Sequence, residues 1–249
     1  MTQARSELNQ GPVARQLARL SAPLSIGIFG VLAVGLSDAF FLARAGQTEL
    51  TAIGFVYPVI VAVSAFSVGL SAGANTALSQ ARGREATDEA VAVLALHACI
   101  LGACIGIMIA VSLWLMAPWL FSILGAEDRV LDAILSYLPF WIASFPILVV
   151  TMILNSAFRA AGDGLTAAMI MVITAVLNIA LTPALIFGYG PMPEMGMAGA
   201  GLATLLARVF ALSLAIVLAL RRDMVVLTKR PFEGLWGSIR EIFGVALPA

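Results

Sequence analysis

The sequence contains few charged residues: Asp, Glu, Lys and Arg make up 11% of its 249 positions, against about 25% in an average soluble domain. This scarcity excludes a water-soluble fold. The two cysteines, Cys99 and Cys104, fall on one predicted helix and exclude a disulfide framework, and the single histidine, His97, excludes a zinc cluster. Hydrophobic residues instead make up 61% of the chain, and the mean hydropathy is +1.02. The composition is that of an integral membrane protein.

Uncharged stretches long enough to cross a bilayer recur six times along the chain. A spanning helix needs about 20 apolar residues, whereas isolated strands cannot satisfy their backbone in lipid. The stretches also lack the alternating pattern of a membrane barrel. We therefore predict an all-α membrane protein, a bundle of six transmembrane helices. The helices are placed at 20–43, 51–80, 90–117, 134–158, 165–187 and 197–220.

The distribution of Lys and Arg predicts the orientation of the bundle. An even number of spans puts both ends of the chain on one side of the membrane. Of the 14 Lys and Arg residues, 11 fall on that side, Arg44 and Arg129 fall on the other, and Arg208 lies within the sixth span. Because cytoplasmic loops carry the excess of positive charge, both ends are expected in the cytoplasm.

The end of the chain repeats a pattern that precedes the first helix. Arg15 lies eight residues before Pro23, and Arg240 lies eight residues before Pro248. Such a repeat favours a second copy of the six-helix unit. We expect the first half of a twelve-helix protein, without its C-terminal lobe. The chain then divides into a cytoplasmic segment at 1–19, a transmembrane lobe at 20–220, a cytoplasmic inter-lobe loop at 221–239 and the start of a truncated seventh helix at 240–249.

Asp38 is the acidic residue that lies deep within a predicted span. A carboxylate near the bilayer centre costs about 2.5 to 3.5 kcal/mol on insertion scales, so such residues usually face a cavity and serve proton or ion pathways. The alternative is an Asp near the helix end that reaches the outer interface. We predict that Asp38 takes part in ion coupling.

Three polar residues on other helices share the depth of Asp38. At about 1.5 Å per residue, Asp38 lies about 27 Å from the inner edge, and Asn178 and Thr182 lie at about 20 and 26 Å on the fifth helix. Thr204, on the sixth helix, lies at about 20 Å in a core about 30 Å thick. Their oxygens suit a sodium ion at Asp38, Asn178 and Thr204, or a proton relay. The alternative is that Asn and Thr only form hydrogen bonds between helices.

Arg208 interrupts the sixth predicted helix near its middle. It either neutralises an anionic group, reaches the interface or makes a structural hydrogen bond. We place Arg208 and Tyr57 together as residues of a substrate cavity or of the structural framework. His97 lies near the cytoplasmic end of the third helix, where a packed or interface role is favoured over a proton carrier.

The pattern GLSAG at 69–73 resembles that of a serine hydrolase, but it lies in an unbroken apolar helix without the strand, turn and helix that expose such a serine. Gly69 and Gly73, like Gly102 and Gly106, are typical of close helix packing. An intramembrane enzyme would also need a second catalytic group at the depth of Asp38, and none is evident. We expect no enzyme activity.

Several segments together resemble one family of membrane proteins. They are GLSDAFFLARAG at the end of the first helix, the second helix from Pro58 to Gly73, the loop ARGREATDEA, FRAAGDG at 158–164, and the long stretch at 178–204 that contains NIALTPALIFGYG. In these segments the sequence is similar to the multidrug and toxic compound extrusion transporters, called MATE transporters. The resemblance covers nearly the whole chain.

The resemblance implies a fold of two six-helix lobes, of which this chain is the N-terminal lobe. It also implies export of cationic or amphiphilic compounds in exchange for sodium ions or protons, with no other cofactor. The acidic coupling residue of the first helix matches Asp38, and two further members of the ion site match Asn178 and Thr204. Thr182 departs from the pattern, because many members carry aspartate there. The loss of that carboxylate favours protons as the coupling ion.

Other classes remain open at this point. A lipid or lipid-linked-sugar flippase of related architecture would favour a basic cavity, for which the spans offer only Arg208.

The expected partners are membrane lipid, small cationic or amphiphilic substrates and the missing C-terminal lobe, with no nucleic acid. We expect a multi-pass protein of the bacterial inner (plasma) membrane.

Overall fold

The computed structural model describes residues 13–84, 86–190, 192–225 and 234–246. Within these ranges the chain forms helices and no strands. The helices are α1 Val13–Ala45, α2 Gln47–Gly83, α3 Asp88–Ile123, α4 Asp128–Ala160, α5 Gly164–Phe187, α6 Met197–Arg221 and α7 Leu235–Ala246. Helices α1 to α6 contain segments long and apolar enough to cross a membrane. The six predicted spans and the all-α fold class are thereby confirmed.

Most helices extend several residues beyond the predicted spans. α1 begins at Val13 rather than at residue 20, and α4 begins at Asp128 rather than at residue 134. The predicted bounds follow the uncharged stretches, whereas the hydrogen-bond ladder of a helix continues through polar residues outside the lipid. The apolar stretch therefore locates a span, and its caps and turns determine where the helix ends.

Helix α7 begins at Leu235, inside the predicted inter-lobe loop at 221–239 and before the predicted start at 240. The predicted start followed the charge of Arg240, whereas the helix in the structure begins five residues earlier and packs on α2 and α3. Ile242 is buried there. Residues 1–12, 226–233 and 247–249 of the predicted terminal segments lie outside the described residues. The division of the chain into four segments stays a prediction.

Side-chain caps determine the first turns of α3 and α5. Thr87 accepts a hydrogen bond of 3.2 Å from the amide of Ala90, and Asp163 accepts one of 3.1 Å from the amide of Thr166. These caps satisfy backbone donors that the first turn of a helix leaves open. Asp163 also forms an ion pair with Arg222, which follows α6. The turn between α4 and α5 is thus tied to the end of α6.

Helix α4 lies at the centre of the bundle and packs against α2, α3 and α6. Its large side chains Trp141, Phe145 and Phe158 are buried among these neighbours. Burial of large aromatic side chains supplies much of the packing contact in a helical core. The position of α4 therefore determines how the other helices face one another.

Two glycines of α3 allow its close approach to α4. A Cβ at Gly106 would lie 2.9 Å from the Cα of Pro146, and a Cβ at Gly102 would collide with the side chain of Ile153. The predicted close packing at Gly102 and Gly106 is confirmed. The same prediction was wrong for Gly69, where a Cβ would meet nothing within 4 Å, because this part of α2 turns its small residue away from its neighbours.

Helix α1 lies at the edge of the lobe and packs mainly on α5. Gly27 and Gly30 of α1 face Met171 and Ala175 of α5, and a Cβ at Gly30 would lie 3.3 Å from the Cβ of Ala175. Other large side chains of α1 are exposed in this chain: Ile26, Ile28, Phe29, Leu32, Leu36 and Phe40. The α1–α5 contact is therefore what positions Asp38.

Candidate functional site

The four polar residues predicted to share one depth lie together in the structure. Asp38 lies on α1, Asn178 and Thr182 lie on α5, and Thr204 lies on α6. The spacing of four places Asn178 and Thr182 on one face of α5, and their side chains reach Thr204 and Asp38. Asn178, Thr182 and Thr204 are all buried. We refer to these four residues as the polar cluster.

Hydrogen bonds connect three helices through the polar cluster. Thr182 Oγ1 donates to Asp38 Oδ1 at 3.0 Å, and Asn178 Nδ2 donates to Thr204 Oγ1 at 3.2 Å. Thr204 Oγ1 in turn donates to the carbonyl oxygen of Ala200 at 3.1 Å. Because a hydroxyl has one proton, this last bond leaves the Thr204 oxygen to accept from Asn178. Hydrogen bonds between helices, which the sequence predicts as the alternative role of these Asn and Thr residues, are therefore present.

Thr182 has two acceptors for one proton. Its Oγ1 lies 3.0 Å from Asp38 Oδ1 and 3.4 Å from Asn178 Oδ1. A hydroxyl donates to one acceptor at a time, and a charged acceptor makes the stronger bond. An ionised Asp38 therefore holds the Thr182 proton, whereas a neutral Asp38 would release it toward Asn178. The direction of this hydroxyl thus depends on the charge of Asp38.

Arg208 lies on α6 one turn beyond Thr204 and faces α4. Its Nη1 donates to Ser144 Oγ at 2.6 Å, and its Cζ lies 5.6 Å from the centroid of the Trp141 ring. The structural hydrogen bond, one of the predicted alternatives for Arg208, is therefore present, and neutralisation of an anionic group by Arg208 stays a prediction.

Tyr137 belongs to the same region, and the sequence analysis did not identify it. It is buried on α4, where its ring and carbonyl oxygen lie against Gly201 of α6, three residues before Thr204. Tyr137, Trp141 and Ser144 are spaced four and three residues apart, so they share one face of α4. That spacing was the available signal, but it is common in apolar helices.

Tyr57 does not join the polar cluster. It lies on α2 and is 53% exposed. A Cβ at Gly35 of α1 would lie 3.9 Å from its ring, so Tyr57 covers the α1 surface near Asp38 without any hydrogen bond to a described residue. Its role as a residue of a substrate cavity or of the structural framework stays a prediction.

His97 and Ser71 have structural partners. His97 is buried, and its Nδ1 lies 2.7 Å from Ser238 Oγ of α7, which agrees with the favoured interface role. Ser71 Oγ lies 2.7 Å from Ser156 Oγ and donates to the carbonyl oxygen of Met152. Among the described residues no histidine approaches Ser71, so the serine has no general base beside it.

The polar cluster offers one carboxylate together with amide and hydroxyl oxygens. Among the described residues, no three or more His, Cys, Asp or Glu side chains come together in a group that would hold a metal ion. Divalent cations favour several charged oxygen ligands. The donor set therefore suits a proton or a monovalent cation.

Comparisons with known proteins agree with this architecture. The sequence pattern of the MatE family matches residues 23–184. A Shewanella oneidensis protein described as an FAD transporter is 33% identical over 246 residues, covering 98% of this chain and 54% of that protein. The multidrug export protein MepA of Staphylococcus aureus is 24% identical over 244 residues, covering 96% of this chain and 52% of MepA.

A solved structure shows the same fold. The bent form of the Vibrio cholerae MATE transporter VcmN superposes with a TM-score of 0.86 at 25% identity, covering 99% of this chain and 54% of VcmN. The chain thus spans about half the length of the curated relatives and of the solved structure that it matches. It belongs to the MatE family of multidrug and toxic compound extrusion transporters and matches their N-terminal lobe.

Proposed function

We propose that this chain is the N-terminal lobe of a secondary active antiporter that exports cationic or amphiphilic compounds in exchange for protons or sodium ions, with protons preferred. Asp38 is its coupling residue. The observation that supports this most directly is the hydrogen bond from Thr182 to Asp38, because it places the ionisable group of a peripheral helix on the buried face of α5. The hydroxyl at position 182, in place of a second carboxylate, favours protons.

Binding of a proton to Asp38 weakens the contact between α1 and α5. The ionised carboxylate accepts a charge-assisted hydrogen bond from Thr182. When a proton bonds to a carboxylate oxygen, that bond weakens and the Thr182 hydroxyl turns to Asn178 Oδ1, which lies 3.4 Å away. α1 then bends away from α5. A proton taken up from outside thereby releases the bound substrate, and Asp38 loses that proton when the next cationic substrate binds.

The exposed faces of α1 and α2 suit a substrate cavity shared with a second lobe. Phe29, Leu32 and Leu36 of α1 and Tyr57 and Phe66 of α2 are exposed in this chain. Apolar and aromatic linings accept amphiphilic molecules of varied shape. In a twelve-helix protein the C-terminal lobe would form the opposite wall, and membrane lipid would cover the outer faces.

A flavin is our second candidate substrate. The relative from Shewanella oneidensis is described as an FAD transporter and is 33% identical over 246 residues. FAD combines aromatic rings with an anionic pyrophosphate, and Arg208 supplies one positive charge within the spans. Uptake of FAD and of ethidium into inverted vesicles, measured side by side, separates the two substrate classes.

The charge distribution supports an orientation for the transporter. The excess of Lys and Arg on the side of both chain ends favours their placement in the cytoplasm. The protein would then lie in the inner (plasma) membrane of a bacterium, with Asp38 in the outer half of the bilayer. This placement exposes the site to protons from outside when α1 bends.

Transport by the full-length protein that contains this chain tests the role of Asp38. Ethidium uptake into inverted membrane vesicles is measured with an imposed proton gradient, with a sodium gradient and with neither. Asp38→Asn should abolish gradient-driven uptake while the protein remains inserted. The matched control is Asp132→Asn, the same chemical change at an exposed residue of α4, which should leave uptake unchanged. Normal uptake by Asp38→Asn would refute the role of Asp38.

A further inference from the structure

Asp38 and Arg208 are the two charged residues within the six predicted spans. All other Asp, Glu, Lys and Arg residues fall outside 20–43, 51–80, 90–117, 134–158, 165–187 and 197–220. A charge in the membrane interior is costly and is usually offset by an opposite charge. The two are opposite in sign and lie at the two ends of the polar cluster: hydrogen bonds lead from Asp38 through Thr182 and Asn178 to Thr204, one helical turn from Arg208. When both are ionised, the negative charge of Asp38 and the positive charge of Arg208 therefore cancel within the predicted spans.

Arg208 is held in place by neutral groups. Its guanidinium donates to Ser144 Oγ at 2.6 Å and lies over the ring of Trp141, and no described carboxylate forms a direct ion pair with it. A guanidinium stays protonated under physiological conditions. Its positive charge therefore acts on the polar cluster from a fixed position behind Thr204.

The positive charge of Arg208 affects the binding of sodium ions and of protons differently. A sodium ion is held only by the net negative charge and the oxygen ligands of its site, and here the guanidinium offsets the single carboxylate. A proton meets the same repulsion but forms a covalent bond with a carboxylate oxygen and needs no cage of ligands. The absence of a net negative charge therefore lowers the affinity of the site for sodium ions more than its affinity for protons.

We propose that Arg208 determines the ion selectivity of this site, excluding sodium ions from Asp38 and leaving protons as the coupling ion. This inference rests on the proposed function, in which Asp38 is the coupling residue. Arg208 touches no ion itself. It acts through the electric field of its guanidinium at Asp38. Its contacts with Ser144 and Trp141 fix the position from which that field acts.

Two substitutions change the charge of the site in the same direction by independent routes. Arg208→Gln removes the positive charge, and Thr182→Asp adds a second carboxylate beside Asp38. Either change leaves one net negative charge when the carboxylates are ionised. Arg208→Lys is the matched control for Arg208→Gln, because it retains the charge while changing the hydrogen bond to Ser144.

Binding of ²²Na⁺ to the purified full-length transporter measures the effect without any assumption about the substrate. We expect the unaltered protein to show no ²²Na⁺ binding that depends on Asp38, so Asp38→Asn should not lower its binding. Arg208→Gln and Thr182→Asp should each bind ²²Na⁺ at least about tenfold more tightly than the unaltered protein, and adding Asp38→Asn should abolish the gain. Arg208→Lys should bind no better than the unaltered protein.

The outcomes separate this inference from the proposed function. Sodium binding at Asp38 in the unaltered protein would overturn the role of Arg208 while leaving Asp38 as a coupling residue. Failure of folded Arg208→Gln to gain sodium binding would overturn it as well, most clearly where Thr182→Asp does gain it. If Arg208→Gln does not fold, Arg208→Met, which also removes the charge and keeps an unbranched side chain, takes its place. Unimpaired proton-driven transport by Asp38→Asn would instead refute the proposed function.

Discussion

Thr182 Oγ1 donates a hydrogen bond of 3.0 Å to Asp38 Oδ1 and so joins α5 to α1 across 144 positions of sequence. Apart from this bond, two glycines of α1 lie close to α5, with Gly27 against Met171 and Gly30 against Ala175. Dispersion contacts of this kind do not depend on charge, whereas a hydrogen bond to a carboxylate does. The polar part of the α1–α5 contact is therefore the part that an ion can switch.

Removal of the Thr182 hydroxyl should uncouple Asp38 from α5. Thr182→Val keeps the side-chain shape and deletes the donor to Asp38 Oδ1. A hydrogen bond to a charged group contributes about 1.5 to 3 kcal/mol, which corresponds to on the order of 10- to 100-fold in an equilibrium between two positions of α1. We expect proton-driven ethidium transport by the full-length protein to fall by a comparable factor, measured in proteoliposomes.

Thr174→Val is the control for that change. Thr174 also lies on α5, but its hydroxyl donates to the carbonyl oxygen of Ile170 within the same helix. The loss of this local bond leaves the α1–α5 contact intact, so transport should stay near the unaltered rate. An equal loss of transport in both variants would show that the Thr182 result reflects damage to α5 rather than to the bond with Asp38.

Gly106→Ala should destabilise the contact between α3 and α4. A Cβ at position 106 would lie 2.9 Å from the Cα of Pro146, and backbone atoms cannot rotate away as a flexible side chain does. Overpacking of this kind costs about 1 to 3 kcal/mol. We expect a lower midpoint of thermal unfolding for the purified protein in detergent. The midpoint is measured by size-exclusion chromatography of samples heated to a series of temperatures.

Gly69→Ala provides the opposite expectation on the neighbouring helix. A Cβ at Gly69 would meet nothing within 4 Å, and alanine favours a helix over glycine by about 0.5 to 1 kcal/mol. The midpoint for Gly69→Ala should therefore be unchanged or higher. A drop as large as that of Gly106→Ala would contradict the open space described around Gly69.

The sequence predicts the six spans because the bilayer sets a minimum length for an apolar helix. It predicts the polar cluster for a related reason. Helices that cross the membrane have a fixed rise per residue, so Asp38, Asn178, Thr182 and Thr204 can be compared by depth before their neighbours are known. Depth arithmetic needs no knowledge of how the helices rotate about their axes.

Rotation of the helices is what the sequence does not provide. Tyr137 was not predicted because its position against Gly201 depends on which face α4 turns to α6. Gly69 was assigned to close packing for want of the same information about α2. The start of α7 at Leu235 depends on its contact with α2 and α3, which no local pattern records. These features follow from side-chain packing across the whole lobe.

Loss of the Ser238 hydroxyl should loosen α7. His97 is buried on α3, and its Nδ1 lies 2.7 Å from Ser238 Oγ. Ser238→Ala leaves a buried ring nitrogen without this partner, which costs about 1 to 3 kcal/mol. We expect faster amide hydrogen exchange in α7 and unchanged exchange in α5. Ser112→Ala, which removes only a local bond to the carbonyl oxygen of Met108, should leave α7 as protected as before.

Two substitutions at Asp163 separate its role as a helix cap from its ion pair. Asp163 accepts from the amide of Thr166 and pairs with Arg222. Asp163→Asn keeps a good cap and loses the charge, and a partly exposed ion pair contributes only about 0 to 1 kcal/mol. Asp163→Ala loses both, and the missing cap adds about 0.5 to 2 kcal/mol. The thermal midpoint should therefore fall slightly for Asn and further for Ala, whereas equal falls would assign the stabilisation to the ion pair with Arg222.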